Sequence, residues 1–209
     1  MSDPAPGPST RQAEPGPARA PSARQAELLE LAYGYALAHG LADLSLRPLA
    51  AAIGSSPRVL LFLFGSKDNL VRALLGRSRA DELALLAELR AAHPDADLAT
   101  AAAAVWRWLA EPERRDLLRL WVEGYARSVA EPSGPWAGFA ATTVQDWLDV
   151  LAAYQPGRQR HSAQAGAQRT AVLAILRGAL LDLLATGDEE RVTAAVTSAL
   201  APHRQPPGR

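Results

Sequence analysis

The sequence has no cysteine, so the chain can form neither disulfide bonds nor thiolate metal sites, and it offers no cysteine nucleophile. β-Branched aliphatic residues are also scarce, with 10 valines and 2 isoleucines against 44 alanines and 32 leucines. Because alanine and leucine are strong helix formers whereas sheets favour β-branched residues, this composition predicts an all-α fold. At 209 residues the chain can bury one ordinary core or two small ones.

Long apolar segments and catalytic constellations are missing as well. There is no run of about 18 uncharged apolar residues, and the N-terminus lacks the basic-then-apolar pattern of a signal peptide, so we expect a cytoplasmic protein with no membrane partner. The four histidines lie far apart, and no glycine-rich phosphate loop, paired acidic motif or nucleophile elbow occurs. The sequence therefore predicts no enzyme activity, no metal site and no cofactor.

The net charge is zero, but the charges are unevenly distributed. Residues 1–80 carry nine basic and six acidic side chains, a net charge of +3, whereas residues 81–209 carry thirteen and sixteen, a net charge of −3. This asymmetry modestly favours a polyanion-binding region in the N-terminal part of the chain.

The two ends of the chain are poor in large apolar residues. Residues 1–21 include six of the 16 prolines, and residues 202–209 contain Pro206-Pro207-Gly208. Because neither segment can offset the entropy lost on ordering, we predict a disordered arm at 1–21 and a disordered tail at 202–209.

Between the two ends, apolar residues recur with the helical period of 3.6. This period, with the glycine, proline and N-cap signals that interrupt it, predicts nine helices: 22–40, 45–54, 57–64, 67–92, 96–110, 112–129, 134–154, 160–186 and 188–201. The fourth would be about 40 Å long, enough to connect a small head at 22–66 to a helical body within 67–201.

A short turn joins the second and third predicted helices. Gly54 can adopt the left-handed conformation that ends one helix, and Ser56 followed by Pro57 provides an N-cap and a first-position residue for the next. This arrangement is typical of a helix-turn-helix, in which the second helix enters the major groove of DNA and the first braces it across the backbone.

Residues 44–68, LSLRPLAAAIGSSPRVLLFLFGSKD, resemble the N-terminal domain of the TetR family of bacterial transcriptional regulators. The matching positions are Ser45, Arg47, Leu49, Ala50, Gly54, Ser56, Leu60, Phe64, Ser66 and Lys67, and the resemblance extends over about residues 22–75. It implies a nine-helix, all-α homodimer with a three-helix DNA-binding head and a body that binds a small ligand and dimerises through its last two long helices. The implied function is a ligand-responsive repressor bound to a palindromic operator of double-stranded DNA.

The chain departs from this family where Tyr-Tyr-His is usual, because it has Leu61, Phe62 and Leu63. Polar groups that would reach phosphates at positions 61 and 63 are therefore absent. Arg58, at the groove-facing start of the third helix, can make a bidentate contact to guanine. Pro57, which begins that helix, and Leu61 belong to the predicted DNA-binding set. Phosphate contacts are expected from Ser45, Arg47, Ser56, Ser66 and Lys67, the single lysine, together with helix N-termini.

All five tryptophans lie beyond residue 100. In the sixth and seventh predicted helices, aromatic residues recur every four positions, so two aromatic stripes can face each other. Core packing explains any single one of them, but the density of the cluster favours a cavity for a small apolar or aromatic effector. The predicted ligand-binding residues are Trp106, Trp121, Tyr125, Phe139, Thr143 and Trp147, with Thr143, Gln145 or Asp146 as polar anchors.

The last two predicted helices are apolar and rich in small residues. Their large apolar residues are Val172, Leu173, Ile175, Leu176, Leu180, Leu183, Leu184, Val192, Val196 and Leu200. Gly166 and Gly178 would let partner helices approach closely. We interpret this helix pair as the homodimer interface, which would hold two heads about 35 Å apart for the two half-sites of an operator.

A second hypothesis follows from the apolar residues of the third helix. If Leu61 and Leu63 form an outer protein contact, the chain is a helical small-molecule-binding or protein-interaction dimer whose head has lost DNA binding. DNA binding separates the two hypotheses. A regulator should bind its own upstream DNA as a dimer, with an affinity that falls steeply with salt, whereas an interaction protein should not bind it.

Overall fold

The computed structural model describes residues 22–131 and 133–201. Over these ranges the chain forms nine α-helices and no strand, which confirms the predicted all-α fold. The predicted arm 1–21 and tail 202–209 lie outside the described residues. The helices are α1 (Ala23–His39), α2 (Leu46–Ala52), α3 (Pro57–Phe64), α4 (Lys67–Ala92), α5 (Leu98–Ala110), α6 (Arg115–Ala130), α7 (Phe139–Ala152), α8 (Ala163–Thr186) and α9 (Glu189–Leu200).

Four helices begin two or more residues later than the sequence pattern predicts: α5 starts at Leu98 rather than at 96 and α6 at Arg115 rather than at 112, and the other two are α7 and α8. The seventh starts at Phe139 rather than at 134, because Gly138 adopts a left-handed conformation with φ +76° that no helical residue has. A short 3₁₀ turn, Gly134–Trp136, precedes it. The eighth starts at Ala163 rather than at 160, where the Ser162 hydroxyl accepts a hydrogen bond from the Ala165 N–H at 3.1 Å.

Serine hydroxyls begin three of the four N-terminal helices. Ser22 accepts from the Gln25 N–H at 3.2 Å, Ser56 from the Val59 N–H at 3.2 Å and Ser66 from the Asn69 N–H at 3.1 Å. Each bond satisfies one of the N–H groups left free in a first helical turn. Each of these three helices therefore begins with a side-chain cap on one of its free N–H groups.

The N-terminal helices share one apolar cluster, which we call the head core. Its largest fully buried side chains include Leu28, Leu49, Leu60, Leu70 and Leu74, from α1 to the first half of α4. Leu120 of α6 and Trp136 are buried in the same cluster. The head core thus includes a side chain from α6 and one from the segment before α7.

A second cluster, the body core, contains the later helices. The second half of α4 contributes Leu85 and Leu86, and the large apolar residues of α5 to α9 pack around them. One helix, α4, thereby belongs to both cores: its first half packs in the head and its second half in the body.

The large apolar residues predicted for the homodimer interface lie in the body core instead. Seven of them are buried within the single chain: Val172, Leu173, Leu176, Leu180, Leu183, Val192 and Val196. They pack against helices of their own protomer, so these side chains are not available to a partner and the predicted assignment is wrong for them. The exposed face of α8 carries small residues, including Ala174 and Gly178, beside Leu181, which is 53% exposed.

Gly124 of α6 packs closely against two apolar side chains. A Cβ atom added there would lie 3.0 Å from the Leu75 side chain of the head core and 3.1 Å from the ring of Phe139 on α7. We expect Gly124→Ala to destabilise the protein, because overpacking costs about 1–3 kcal/mol and outweighs the ~0.5–1 kcal/mol that alanine gains over glycine within a helix. Urea unfolding would measure the change.

Gly76 of α4 provides the matched control, because a Cβ atom there meets nothing within 4 Å. Gly76→Ala should stabilise the protein by about 0.5–1 kcal/mol. If both variants were stabilised equally, the close packing inferred at Gly124 would be wrong.

Within the described ranges no single helix is both long and apolar enough to cross a membrane. Of the helix pairs there, α2 and α3 together reach the length and apolar composition of a membrane span, but the pair is bent by 102°.

Candidate functional site

The angle between α2 and α3 defines the first candidate site. The two helices cross at 102° and are joined by the four residues 53–56. Gly54 makes this turn with φ +64°, a conformation that favours glycine. A crossing angle of about 90–120° with a turn of three to four residues is the geometry of a helix-turn-helix, and α3 is its second helix.

The predicted cationic DNA contacts lie on the surface of the head. Arg47, Arg58 and Lys67 are all exposed, and none of them pairs with an acidic side chain in the part of the chain that the structure describes. Arg58 lies in the first turn of α3, and Lys67 is the first residue of α4. Three positive charges near the ends of α2, α3 and α4 thus remain available for an external anion.

The uncharged residues of the predicted DNA-binding set differ in what their side chains already do. Ser45 precedes α2 but makes no capping hydrogen bond, so its exposed hydroxyl is available. Ser56 and Ser66 use their oxygens as helix caps and retain only the hydroxyl proton for an outside acceptor. Pro57 is half-buried at the start of α3.

The outer face of α3 is apolar. Phe62 is 85% exposed, Leu61 is 41% exposed and Val59 is 38% exposed. Leu63, by contrast, is half-buried against the head core, and its carbonyl accepts a hydrogen bond from Gln25 Nε2 at 3.1 Å. At the position where the family that this segment resembles usually has histidine, Leu63 therefore packs on the head core, and Phe62 is the most exposed apolar residue of α3.

The second candidate site is a cavity of about 430 Å³ in the body, enclosed by residues of α4, α5, α6, α7 and α8. Five of the six predicted ligand-binding residues line it: Trp121, Tyr125, Phe139, Thr143 and Trp147. The stripes on α6 and α7 do face one another across this space. Val129 and Leu181, both largely exposed, lie on its rim.

Three predicted residues lie elsewhere. Trp106 is not part of the wall, because its side chain is buried towards α9, where the indole N–H donates to the Thr193 hydroxyl at 3.0 Å. Asp146 forms a two-bond ion pair with Arg79 at 2.7 and 2.9 Å. Gln145 is exposed and donates to Asp149 at 2.8 Å.

The cavity is also lined by two charged residues, Glu82 of α4 and Arg177 of α8, which are not among the predicted ligand-binding residues. The sequence contained a signal for Glu82. It lies four residues after Ser78 and three before Leu85, both buried, and therefore on the inward stripe of α4. Arg177 similarly falls between Leu173 and Leu180 on the inward face of α8.

Glu82 is 2% exposed. Its Oε1 accepts a hydrogen bond from the Trp147 indole N–H. Burial raises the pKa of Glu82 from 4.5 to about 7, although the Trp147 hydrogen bond opposes this shift. The carboxyl group therefore changes its charge near neutral pH.

Arg177 of α8 lines the same cavity and contacts Tyr125 of α6. Its guanidinium stacks 4.8 Å from the centre of the Tyr125 ring, and burial lowers the Arg177 pKa from its usual value. Three polar atoms near the wall have no hydrogen-bond partner among the described residues: Arg177 Nη2, Thr143 Oγ1 and Trp121 Nε1. An apolar cavity with a few unsatisfied polar groups is typical of a small-molecule site.

A hydrogen bond from α6 connects the cavity wall to the head. Glu123 Oε2 accepts from the Leu41 N–H at 2.8 Å, and Leu41 lies in the segment between α1 and α2. Val122 and Tyr125, the near neighbours of Glu123 on α6, line the cavity. A second link joins Tyr33 of α1 to Asp81 of α4, whose carboxylate accepts from the tyrosine hydroxyl at 2.9 Å.

No protein-family model and no curated protein sequence matches the chain. Solved structures do match. A transcriptional regulator from Rhodococcus sp. Rha1 is 21% identical with a TM-score of 0.69, and the match covers 84% of this chain and 93% of that one. A TetR-family transcriptional regulator from Streptomyces coelicolor is 20% identical with a TM-score of 0.64, over 84% and 91% of the two chains.

The multidrug binding protein EbrR, complexed with proflavin, is 24% identical with a TM-score of 0.60, and the match covers 84% of this chain and 99% of that one. At these identities the similarity shows the fold. The chain thus has the all-α fold of TetR-family regulators over almost the full length of the matching proteins.

Proposed function

We propose that this protein is a TetR-type, ligand-responsive transcriptional regulator that binds double-stranded DNA as a homodimer. The observation that carries the proposal is the helix-turn-helix with a 102° crossing angle, whose second helix has an exposed outer face and carries Arg58, unpaired within the described residues, in its first turn. The matching regulators from Rhodococcus and Streptomyces support it through their fold. Such a regulator acts where the chromosome lies, so the proposal places it in the cytoplasm.

The face of α3 suits the major groove in two ways. Arg58 in its first turn can donate two hydrogen bonds to the O6 and N7 atoms of guanine. Val59 and Phe62 present apolar surface suited to the methyl groups of thymine. Arg47, Lys67 and the Ser45 hydroxyl flank this face, where they would bind phosphates and fix the register of the head.

A palindromic operator requires two heads, hence a dimer. The exposed face of α8 supports a homodimer, because small residues such as Ala174 and Gly178 permit close helix approach around Leu181. The two heads would then meet half-sites about one helical turn apart. Repression follows if bound protein blocks access to the promoter.

The cavity supports the ligand response. The EbrR structure holds proflavin in a protein of the same fold, and the aromatic walls here suit a small apolar or aromatic effector. An effector that displaces α6 changes the environment of Glu123 and therefore of Leu41 in the head. We expect a coupling free energy of about 1–3 kcal/mol between effector and DNA.

DNA binding tests this function. The full chain should bind the DNA upstream of its own coding region as a dimer, measured by fluorescence anisotropy and by analytical ultracentrifugation of the complex. If each dimer contacts six or more phosphates, the affinity should fall by about 10³-fold or more between 50 and 200 mM salt. Failure to bind upstream DNA or a library of random duplexes at 50 mM salt would contradict the proposal.

The exposed apolar face of α3 supports a second function, a protein contact made by a head that no longer binds DNA. Phe62, at 85% exposure, is the observation that favours it. Under this function, Phe62→Ser would leave any DNA affinity unchanged and abolish association with the partner. Under the regulator function, the same variant would weaken DNA binding.

A further inference from the structure

The cavity contains a buried acidic group without a cationic partner. Glu82 lines the cavity and is 2% exposed, yet it forms no ion pair with any residue in 22–131 or 133–201. Within these ranges its one hydrogen-bond donor is the neutral indole of Trp147. Buried carboxylates are normally paired, because an unpaired ion in an apolar site is costly.

The charged groups around Glu82 are already engaged with other side chains. Arg79 of α4 pairs with Asp146 of α7 through two hydrogen bonds. Arg177 of α8 stacks on Tyr125 of α6 rather than contacting the carboxyl group. The negative charge of Asp146 opposes ionisation of Glu82, whereas the positive charges of Arg177 and Arg79 favour it. Local protein charge therefore does not neutralise Glu82.

We infer that the cavity binds an organic cation with a planar apolar body, whose positively charged nitrogen lies against the Glu82 carboxylate. The inference deepens the proposed function by naming its effector class, and it rests on the cavity being the effector site. The aromatic side chains of Trp121, Phe139 and Trp147 would enclose the apolar body. The ligand would supply the counter-charge that the chain itself does not provide.

Arg177 makes an anionic ligand the competing outcome. Of the two charged groups, Glu82 is the more buried, at 2% exposure, whereas Arg177 is only half-buried. The Arg177 guanidinium interacts with the π-face and hydroxyl of Tyr125, the latter at 3.4 Å, although its Nη2 has no hydrogen-bond partner among the described residues. Neutralising Glu82 therefore removes the larger unfavourable interaction, and we expect cations to be preferred.

Three fluorescent probes of similar size separate the charge classes: ethidium, a permanent cation; N-phenyl-1-naphthylamine, which is neutral; and 1-anilinonaphthalene-8-sulfonate, an anion. Each is titrated into the full chain without DNA at pH 6 and pH 8. Because ethidium does not itself titrate and Glu82 changes charge near pH 7, its affinity should rise about tenfold between these pH values. The affinity of the neutral probe should stay constant.

Glu82→Gln removes the charge while keeping an oxygen for the Trp147 N–H. At pH 8 this variant should bind ethidium about 10- to 100-fold more weakly, without pH dependence, and the neutral probe as tightly as the unchanged protein. Asp149→Asn is the matched control, because it removes a carboxylate from an exposed position on α7 outside the cavity. It should leave ethidium binding unchanged.

Tighter binding of the sulfonate than of ethidium at pH 8 would overturn the inference and assign the ligand charge to Arg177. Equal affinity of Glu82→Gln and the unchanged protein for ethidium would also overturn it, as would the absence of ethidium binding. None of these results bears on operator binding, which is measured with ligand-free protein, so failure of the inference is distinguishable from failure of the proposed function.

Discussion

Glu82→Gln is expected to stabilise the ligand-free protein by about 3 kcal/mol at pH 8, but by less than about 1 kcal/mol at pH 5. The native carboxyl group is buried and must ionise in an apolar cavity, where the Trp147 indole is its one hydrogen-bond donor among the described residues. The glutamine amide keeps the size of the side chain and an acceptor oxygen, but carries no charge at any pH. The variant therefore removes a cost that exists only when Glu82 is ionised.

The sign of this pH dependence follows from proton binding. Folding raises the pKa of Glu82 from 4.5 to about 7, so between these values the folded state holds a proton that the unfolded state has lost. The contribution of Glu82 to stability is fully present below pH 4.5 and is lost as the pH rises through 7. Its loss amounts to about 1.4 kcal/mol per pH unit over this interval, or about 3 kcal/mol in total.

Urea denaturation of both proteins at pH 5 and pH 8 measures the effect. We expect the midpoint of Glu82→Gln to exceed that of the unchanged protein at pH 8, with the same dependence on urea concentration. Asp149→Asn controls for the loss of one negative charge from the body and should show no such gain. A Glu82→Gln protein less stable than the unchanged protein at pH 8 would show that the carboxylate is stabilised by contacts that the structure lacks.

The head could be predicted from sequence because its signals are local. Gly54, the pair Ser56-Pro57 and Gly65 each set a helix end through backbone geometry that depends on adjacent residues. The structure gives α3 the predicted bounds, Pro57–Phe64. The side-chain directions within α3 were less predictable, since the sequence does not show that Leu63 packs on the head core while Phe62 faces outward.

The cavity was predictable only in part, because its walls come from five helices distant in sequence. The aromatic period placed Trp121 and Trp147 correctly on facing stripes. Trp106 lies on the apolar helix α5, but its side chain points towards α9 rather than into the cavity. Which of the two it faces depends on how the helices pack, and the sequence pattern does not show this. Glu82 was detectable as a charge on a buried stripe, yet periodicity alone does not show that a cavity lies beside it.

The helices α8 and α9 show a further limit of periodicity. An apolar stripe indicates that a helix face is buried, but not whether its own chain or a partner covers it. Here the body core covers Leu176 and Leu183 within the protomer. The opposite face of α8, with its small residues, remains exposed and available to a second copy.

Arg58→Ala is expected to weaken operator binding by about 1–3 kcal/mol per head, or about 5- to 150-fold for each half-site, and to relax the preference for one base pair. Arg58 is exposed in the first turn of α3 and unpaired within the described part of the chain, so removing it leaves no buried charge and should not affect folding. A dimer carries two such residues, so the loss for a palindromic site should approach twice that for one half-site. Anisotropy titrations with the selected operator, and with a variant at each base pair, measure both effects.

Lys67→Ala separates base readout from phosphate binding, because it also removes one exposed cation from each head. Lys67 begins α4 rather than α3, so we expect it to contact the DNA backbone. Its loss should weaken binding about equally for all sequences and reduce the slope of log affinity against log salt by about 1 per head, whereas Arg58→Ala should change the ranking of the sequences. If Arg58→Ala lowered the affinity for every base-pair variant by the same factor, Arg58 would be a phosphate contact, and sequence readout would rest on the apolar face of Val59 and Phe62.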